Sequence, residues 1–345
     1  MIGIQKEALF YEHLERSRVH CHLCFHHCLI PKGKRGKCGV RENRGGTLYT
    51  LVYGKSIAQS IDPIEKKPLF HFYPGSRSFS VATMGCNFRC LHCQNFHISQ
   101  VPGEESLILG DDLPPERIVE LALKERCSSI SYTYTEPTIF FEYALETARV
   151  ASRRGLKNVF VTNGYITPEP LKTIQPYLHA ANIDLKFFKD ETYREVCGAR
   201  LRPVLDSIRL YKELGIWLEI TTLIIPGYND SREELEAIAG FIARLGAETP
   251  WHVSRFYPTH RLLDRPRTPV DVLHTAGQVG LDAGLRYVYT GNVSCEEGEN
   301  TYCHRCGRVL IRRRGFAVMQ TSLSGSRCPG CGTTLDGVGF DNIPE

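Results

Sequence analysis

The chain has 345 residues, 42% hydrophobic and 23% charged, with 42 Lys and Arg against 38 Asp and Glu for a net charge of +4. That balance belongs to a globular chain able to build one large domain with small appendages; it excludes a disordered or fibrous protein, and the charge is too small to argue by itself for a polyanion partner. No apolar run approaches ~18 residues, and Lys6, Glu7, Glu12 and Glu15 stand where a secretory signal needs apolar residues, so a cytoplasmic protein without membrane contact is expected.

The 14 cysteines are the unusual feature. A reducing compartment disfavours structural disulfides, which makes metal ligation the default reading of clustered thiols. Cys127, Cys197 and Cys295 stand outside the three clusters, and lone cysteines of this kind read as small buried hydrophobes.

The first cluster, Cys21, Cys24, Cys28 and Cys38, falls in a Cys-rich region over residues 1–77, among His20, His22, His26 and His27. Four thiols suffice for a closed site. The irregular spacing admits zinc, the preferred reading, or an auxiliary iron–sulfur cluster, and a neighbouring histidine could replace one cysteine.

Residues 78–294 alternate short β-branched or aromatic runs with longer amphipathic stretches, the rhythm of a parallel sheet with crossover helices. Strands are expected at 79–83, 129–134, 159–162, 181–186, 218–224 and 252–257. Helices fit between them: Pro114-Pro115 opens one over 116–126, Asp230-Ser231 opens one over 233–245, and Gly155, Gly215 and Gly246 stand at left-handed helix stops. Six such units predict an α/β fold, a partial (β/α)6 TIM-type barrel, with functional residues at the carboxyl ends of its strands.

Residues 295–345 form a third module. Cys303 and Cys306, then Cys328 and Cys331, make two knuckles at zinc-ribbon spacing, flanking a hairpin that turns on Gly315. So small a ribbon needs a metal to fold, and structural zinc is expected. With no aromatic platform interleaved, Arg312 to Arg314 read as a solvated turn, and nucleic acid is not the expected partner.

The central cluster carries the chemistry. Cys86, Cys90 and Cys93 follow directly on the first barrel strand with C-x3-C-x2-C spacing. Three thiolates around one loop leave a coordination position open, the arrangement that separates catalytic from structural metal sites. A zinc site completed by His92 or His97 is the bland alternative.

This motif resembles the hallmark of the radical S-adenosylmethionine (SAM) superfamily. Within it the chain is similar to the branch of pyruvate formate-lyase activating enzyme, and more closely to the AmmeMemoRadiSam system radical enzyme, through Asp62-Pro63-Ile64-Glu65-Lys66-Lys67-Pro68-Leu69 and Cys93-Gln94-Asn95. The resemblance implies a [4Fe-4S] cluster on Cys86, Cys90 and Cys93, with S-adenosylmethionine on its open iron, cleaved reductively to a 5′-deoxyadenosyl radical that abstracts hydrogen from a protein or small molecule.

It also nominates cofactor contacts. His92 takes the place of an aromatic residue near the adenine, and Asn95 follows the last cysteine. Glu136, in Tyr134-Thr135-Glu136-Pro137, keeps the acid of a Gly-Gly-Glu type motif and loses its glycines. Asn163 ends the third strand, Asp184 and Lys186 match an Asp-x-Lys pattern that holds the cofactor, and His260 lies near the sixth strand end. A zwitterionic amino acid needs an anion and a cation, which suits the last pair. The implied partners are a flavodoxin or ferredoxin reductant and Memo-type and AMMECR-type proteins. Rival readings are a glycyl-radical enzyme activase and a zinc and iron–sulfur protein that binds nucleic acid without radical chemistry.

Overall fold

Six amphipathic helices each return the chain to the same edge of a growing sheet, so seven central strands run parallel. The computed structural model describes residues 6–100, 107–293 and 296–343, which leaves Cys295 outside the described residues. The sheet has eight strands: β1 (Ala58–Pro63), β2 (Arg77–Ala82), β3 (Ser129–Tyr132), β4 (Lys157–Thr162), β5 (Ala180–Asp184), β6 (Trp217–Ile224), β7 (Trp251–Arg255) and β8 (Val288–Gly291). Their order in space is their order in the chain, with β1 antiparallel to β2 and the two outer strands unpaired with each other. This is the open (β/α) barrel expected from the alternation. The six strands expected from sequence all form, each end within two residues, while β1 and β8 extend the sheet beyond them.

The helices start and stop for local reasons. Pro115 begins α1 (Pro115–Lys124), where its missing N–H costs nothing. Ser231 accepts a hydrogen bond from the N–H of Glu234 at 3.3 Å and so caps the helix Arg232–Leu245. Gly155 and Gly215 adopt φ of +78° and +73° as helix stops, but Gly246 has φ of +150°, outside the left-handed helical well expected for it.

Alternate residues of each strand point into the barrel. Val161, Asp184, Thr221, Leu223, Ser254 and Thr290 face one interior cavity, while their neighbours Phe160, Ile183, Ile220 and Val253 join the apolar core. The lower interior is filled by the chain after β1. The carboxylate of Glu219 accepts hydrogen bonds from the N–H groups of Phe70 and His71 at 3.0 and 2.8 Å, and Asn182 donates to the carbonyl of Pro68 at 2.8 Å. Residues 64–72 are therefore a plug inside the barrel.

Both terminal modules lock onto this barrel. At the amino end, Arg41 forms a buried ion pair with Glu142 at 3.0 Å. At the carboxyl end, the hairpin of Val309–Arg314 and Ala317–Thr321 turns at Gly315, with φ of +60°. Here one expectation fails. Strand alternation turns Arg313 inward, fully buried beside Glu65 and over the ring of Phe70 (4.3 Å), so only Arg312 and Arg314 are solvated. No helix among the described residues is long and apolar enough to cross a membrane.

Candidate active site

The loop after β2 depends on a glycine. Gly85 has φ of +100°, and a Cβ there would stand 2.7 Å from Val40 and 2.9 Å from the carbonyl of Cys38, so only glycine lets the chain pass against the amino-terminal module. The following turn is anchored by Phe88, buried against Tyr165, and by the N–H groups of Arg89 and Leu91, which donate to the carbonyls of Cys197 and Val196 at 2.8 and 2.9 Å. Cys86, Cys90 and Cys93 thereby face a cavity of about 630 Å³ at the carboxyl ends of the strands, within the size range of small-molecule sites.

Each of the three sulfurs has a donor. The N–H of Phe88 lies 3.4 Å from Cys86 Sγ, Ser99 Oγ lies 3.2 Å from Cys93 Sγ, and the thiol of Cys197 bonds to Cys90. That hydrogen bond from Cys197, against the effect of burial and helped by Lys186, lowers the pKa of Cys90 and favours its thiolate. Cys197 itself is not a wall of the cavity. Sequence carried no signal for this role; it comes from the π-helical turn Tyr193–Cys197, which swings the residue under the loop.

His92 is buried with both ring nitrogens unpartnered. Burial, then the charge of Lys186, depresses its pKa to about 3, so the ring is neutral. Two orphaned nitrogens on a cavity wall fit a ligand with its own donors and acceptors, as an adenine has. Asn95 donates to the carbonyl of Tyr134 at 2.7 Å. Asn163 donates to Asn87 Oδ1 at 2.8 Å and lies 4.0 Å from Cys86 Sγ, tying the end of β4 to the cysteine loop.

Glu136 is buried, and burial raises its pKa despite its donors. Its Oε1 accepts from Thr138 N, Thr138 Oγ1 and Thr162 Oγ1 at 3.0, 2.6 and 2.7 Å, whereas Oε2 takes only the N–H of Asn163 at 2.8 Å. Oε2 is thus the atom with capacity left for an ammonium. Asp184 and Lys186 pair with each other at 2.8 Å on the cavity wall. Burial works against the charge of Lys186, but Asp184 and the nearby thiols of Cys90 and Cys197 outweigh it and raise its pKa. His260 stands apart: it stacks on Phe96 at 4.5 Å and is not among the residues lining the cavity.

Other wall residues were not anticipated. Lys67 enters from the plug, bonded to Asp62 at 2.6 Å, and Phe316 reaches the cavity from the carboxyl-terminal hairpin. The motif segment 62–69 was visible in sequence, but its position inside the barrel was not.

Of the outer clusters, Cys303, Cys306, Cys328 and Cys331 bring all four sulfurs within 4.8 Å of one another. Cys21, Cys24, Cys28 and Cys38 line a separate small cavity. His20, His22 and His27 gather elsewhere, and His26 Nε2 is engaged by the carbonyl of Asn87 at 2.7 Å.

Residues 80–242 match the family described as the radical SAM superfamily. An uncharacterized protein of Methanocaldococcus jannaschii, MJ0808, is 49% identical over 96% of this chain and 99% of its own length. The chain belongs to the radical SAM superfamily. It is also 23% identical to an isethionate sulfite-lyase activating enzyme of Oleidesulfovibrio alaskensis, over 60% of this chain and 68% of that protein. A radical SAM methyltransferase from Sphaerobacter thermophilus shares the fold, with a TM-score of 0.50 and 16% identity over 69% of this chain and 71% of that one. Membership implies a [4Fe-4S] cluster and S-adenosylmethionine, and the donor-supported trio of thiols beside a cavity with orphaned polar atoms fits both.

Proposed function

We propose that this radical SAM protein is an enzyme of the AmmeMemoRadiSam type, which abstracts hydrogen from a protein or small-molecule substrate. Bound at the cysteine loop, the cluster and S-adenosylmethionine supply one-electron cleavage of a sulfonium to a 5′-deoxyadenosyl radical. The chain's own residues do the rest. Cys86, Cys90 and Cys93 ligate the cluster, and Phe88, Ser99 and Cys197 stabilise their sulfurs by hydrogen bonds. Glu136 Oε2 and Asp184 offer acceptors for an ammonium, Lys186 offers a cation for a carboxylate, and His92 borders the base. Barrel walls and the plug exclude water from the reacting atoms.

The observation that carries this reading is that three thiols, and no fourth among the described residues, line the large cavity. Anaerobic protein with a reconstituted cluster, dithionite and S-adenosylmethionine should release 5′-deoxyadenosine, and Cys90→Ala should abolish the release. Wild-type protein with a full cluster and no product would refute it.

A flavodoxin or ferredoxin is proposed as the electron donor, with Memo-type and AMMECR-type proteins as partners or substrates. Label transfer from each deuterated partner into 5′-deoxyadenosine tests the pairing. The likeness to an activating enzyme supports the glycyl-radical activase as a second reading, whose product is a persistent radical on a partner protein. Burial of Arg313 removes the middle of the basic run on which a nucleic-acid reading would rest. Zinc is the proposed occupant of the carboxyl-terminal cluster: Sγ atoms of Cys303 and Cys331, and of Cys306 and Cys328, lie 3.6 Å apart, near the ~3.8 Å edge of a tetrahedron with ~2.3 Å bonds.

A further inference from the structure

The amino-terminal cysteines differ from the carboxyl-terminal set in a way that bears on the metal. Cys21 ends the strand Arg18–Cys21, Cys24 and Cys28 lie on the segment that returns to it, and Cys38 comes from the loop before Arg41–Arg44. All four line one cavity, closed by Leu23, Ile30 and Ile139. Yet no three of these sulfurs, among the described residues, come within 4.8 Å of one another, whereas all four carboxyl-terminal sulfurs do. A single tetrahedral ion draws its thiolates together, as at the carboxyl end. Thiolates that each cap a different iron must stay further apart, and the trio Cys86, Cys90 and Cys93 is likewise absent from the tight groups.

Two further observations agree. The walls around these cysteines leave a cavity of about 20 Å³, room for a water-sized body that thiolates closed around one ion would not leave. Arg41 also lines it, 1% exposed, and its Nε has no hydrogen-bond partner although its other nitrogens bind Glu142 and the carbonyl of Leu9. A buried guanidinium N–H left unpartnered on a residue that walls a sulfur-lined cavity calls for an acceptor, which bridging sulfides and ligand thiolates provide. Lys37 adds a second cation to the same wall.

We infer that Cys21, Cys24, Cys28 and Cys38 hold a second, fully ligated [4Fe-4S] cluster, placed close enough to the catalytic cluster for the two to exchange electrons. Residues that wall this cavity touch the catalytic loop. Cys38 O and Val40 abut Gly85, His26 Nε2 meets Asn87 O at 2.7 Å, and Arg89 donates to the carbonyl of Lys37. Each cluster accepts one electron from a low-potential donor, passing from the 2+ to the 1+ state, and the electron held at the outer site is available to its neighbour.

The inference does not rest on radical chemistry, so its test removes the catalytic trio. The C86A/C90A/C93A variant, isolated anaerobically, should keep about four irons and four labile sulfides per chain and, after dithionite, give the EPR signal of one reduced cluster. Zinc without sulfide in that variant would overturn the assignment. Should the variant not fold, the wild-type chain decides: about eight irons are expected, and about four irons with two zinc ions would refute the second cluster. Proximity is read in the reduced wild type, whose spectrum should show spin–spin broadening that is lost in C24S/C28S. A wild-type spectrum equal to the plain sum of two isolated clusters would remove the electron-exchange role.

Discussion

Around Cys90, two neighbours act on the same sulfur. The Cys197 thiol donates a hydrogen bond and Lys186 places a positive charge nearby, and together they overcome burial to favour the thiolate. Donors to a cluster's sulfurs stabilise its reduced, more negative state, so losing one should lower the reduction potential. Cys197→Ala should therefore retain its iron but shift the cluster potential down by roughly tens of millivolts, measured by EPR-monitored titration. An unchanged potential would show that the contact is only packing. The three cysteines of the loop were legible because their spacing is local and rare. Cys197 was not, because it lies more than a hundred residues away in sequence and only the fold brings it under the loop. His260, near a strand end, has a left-handed backbone with φ of +55° and stacks on Phe96, outside the residues that line the cavity.

Among elements, the barrel plug has the most at stake, because it buries charge at both ends. Glu65 and Arg313, each 0–1% exposed, lie 3.5 Å apart, and Glu65 Oε1 also accepts the N–H of Gly75 at 2.8 Å. Removing one partner strands the other, so Arg313→Met should destabilise the protein by about 3–5 kcal/mol, and adding Glu65→Gln should recover much of the loss. Urea midpoints of the two variants check this. The plug also holds His71, whose ring bridges the carbonyl of Asp336 and the hydroxyl of Tyr289, both at 2.6 Å. Burial lowers its pKa to about 4. The folded state therefore binds its proton less readily than the unfolded chain does. Stability is intact above the unfolded value of about 6.5 and falls as pH drops from there to about 4, by on the order of 3 kcal/mol. Urea midpoints at pH 7 and pH 5 should differ less for His71→Gln than for the wild type. Strand periodicity made the β/α units legible. A plug without periodicity left no such trace, and neither did β1, whose polar alternation suits a sheet edge as well as a loop.

Across the whole molecule, the carboxyl-terminal module closes the open side of the barrel that the linear strand order leaves. Tyr289 of β8 and Tyr287 just before it pack with Cys303, Leu310, Ile311 and Cys328 in one apolar cluster, and the hairpin carries Phe316 to the cavity wall. Sequence spacing revealed the knuckles, but not that their module completes the site, because the contacts join residues 64–72 to residues beyond 299. That architecture makes the zinc proposed for the far module matter to the cavity. A metal-nucleated ribbon loses its folding free energy when its thiolates are removed, and the hairpin it anchors should loosen without unfolding the parallel sheet. Cys328→Ser with Cys331→Ser should therefore release about one zinc per chain, while amide exchange accelerates over residues 309–321 and stays slow in β3 to β6. The same variant should bind its three-cysteine cluster normally but release 5′-deoxyadenosine with weaker coupling to substrate, since water reaches the cavity past Phe316. Unchanged exchange in the hairpin after zinc loss would mean that Arg313 and the apolar cluster alone hold the barrel shut.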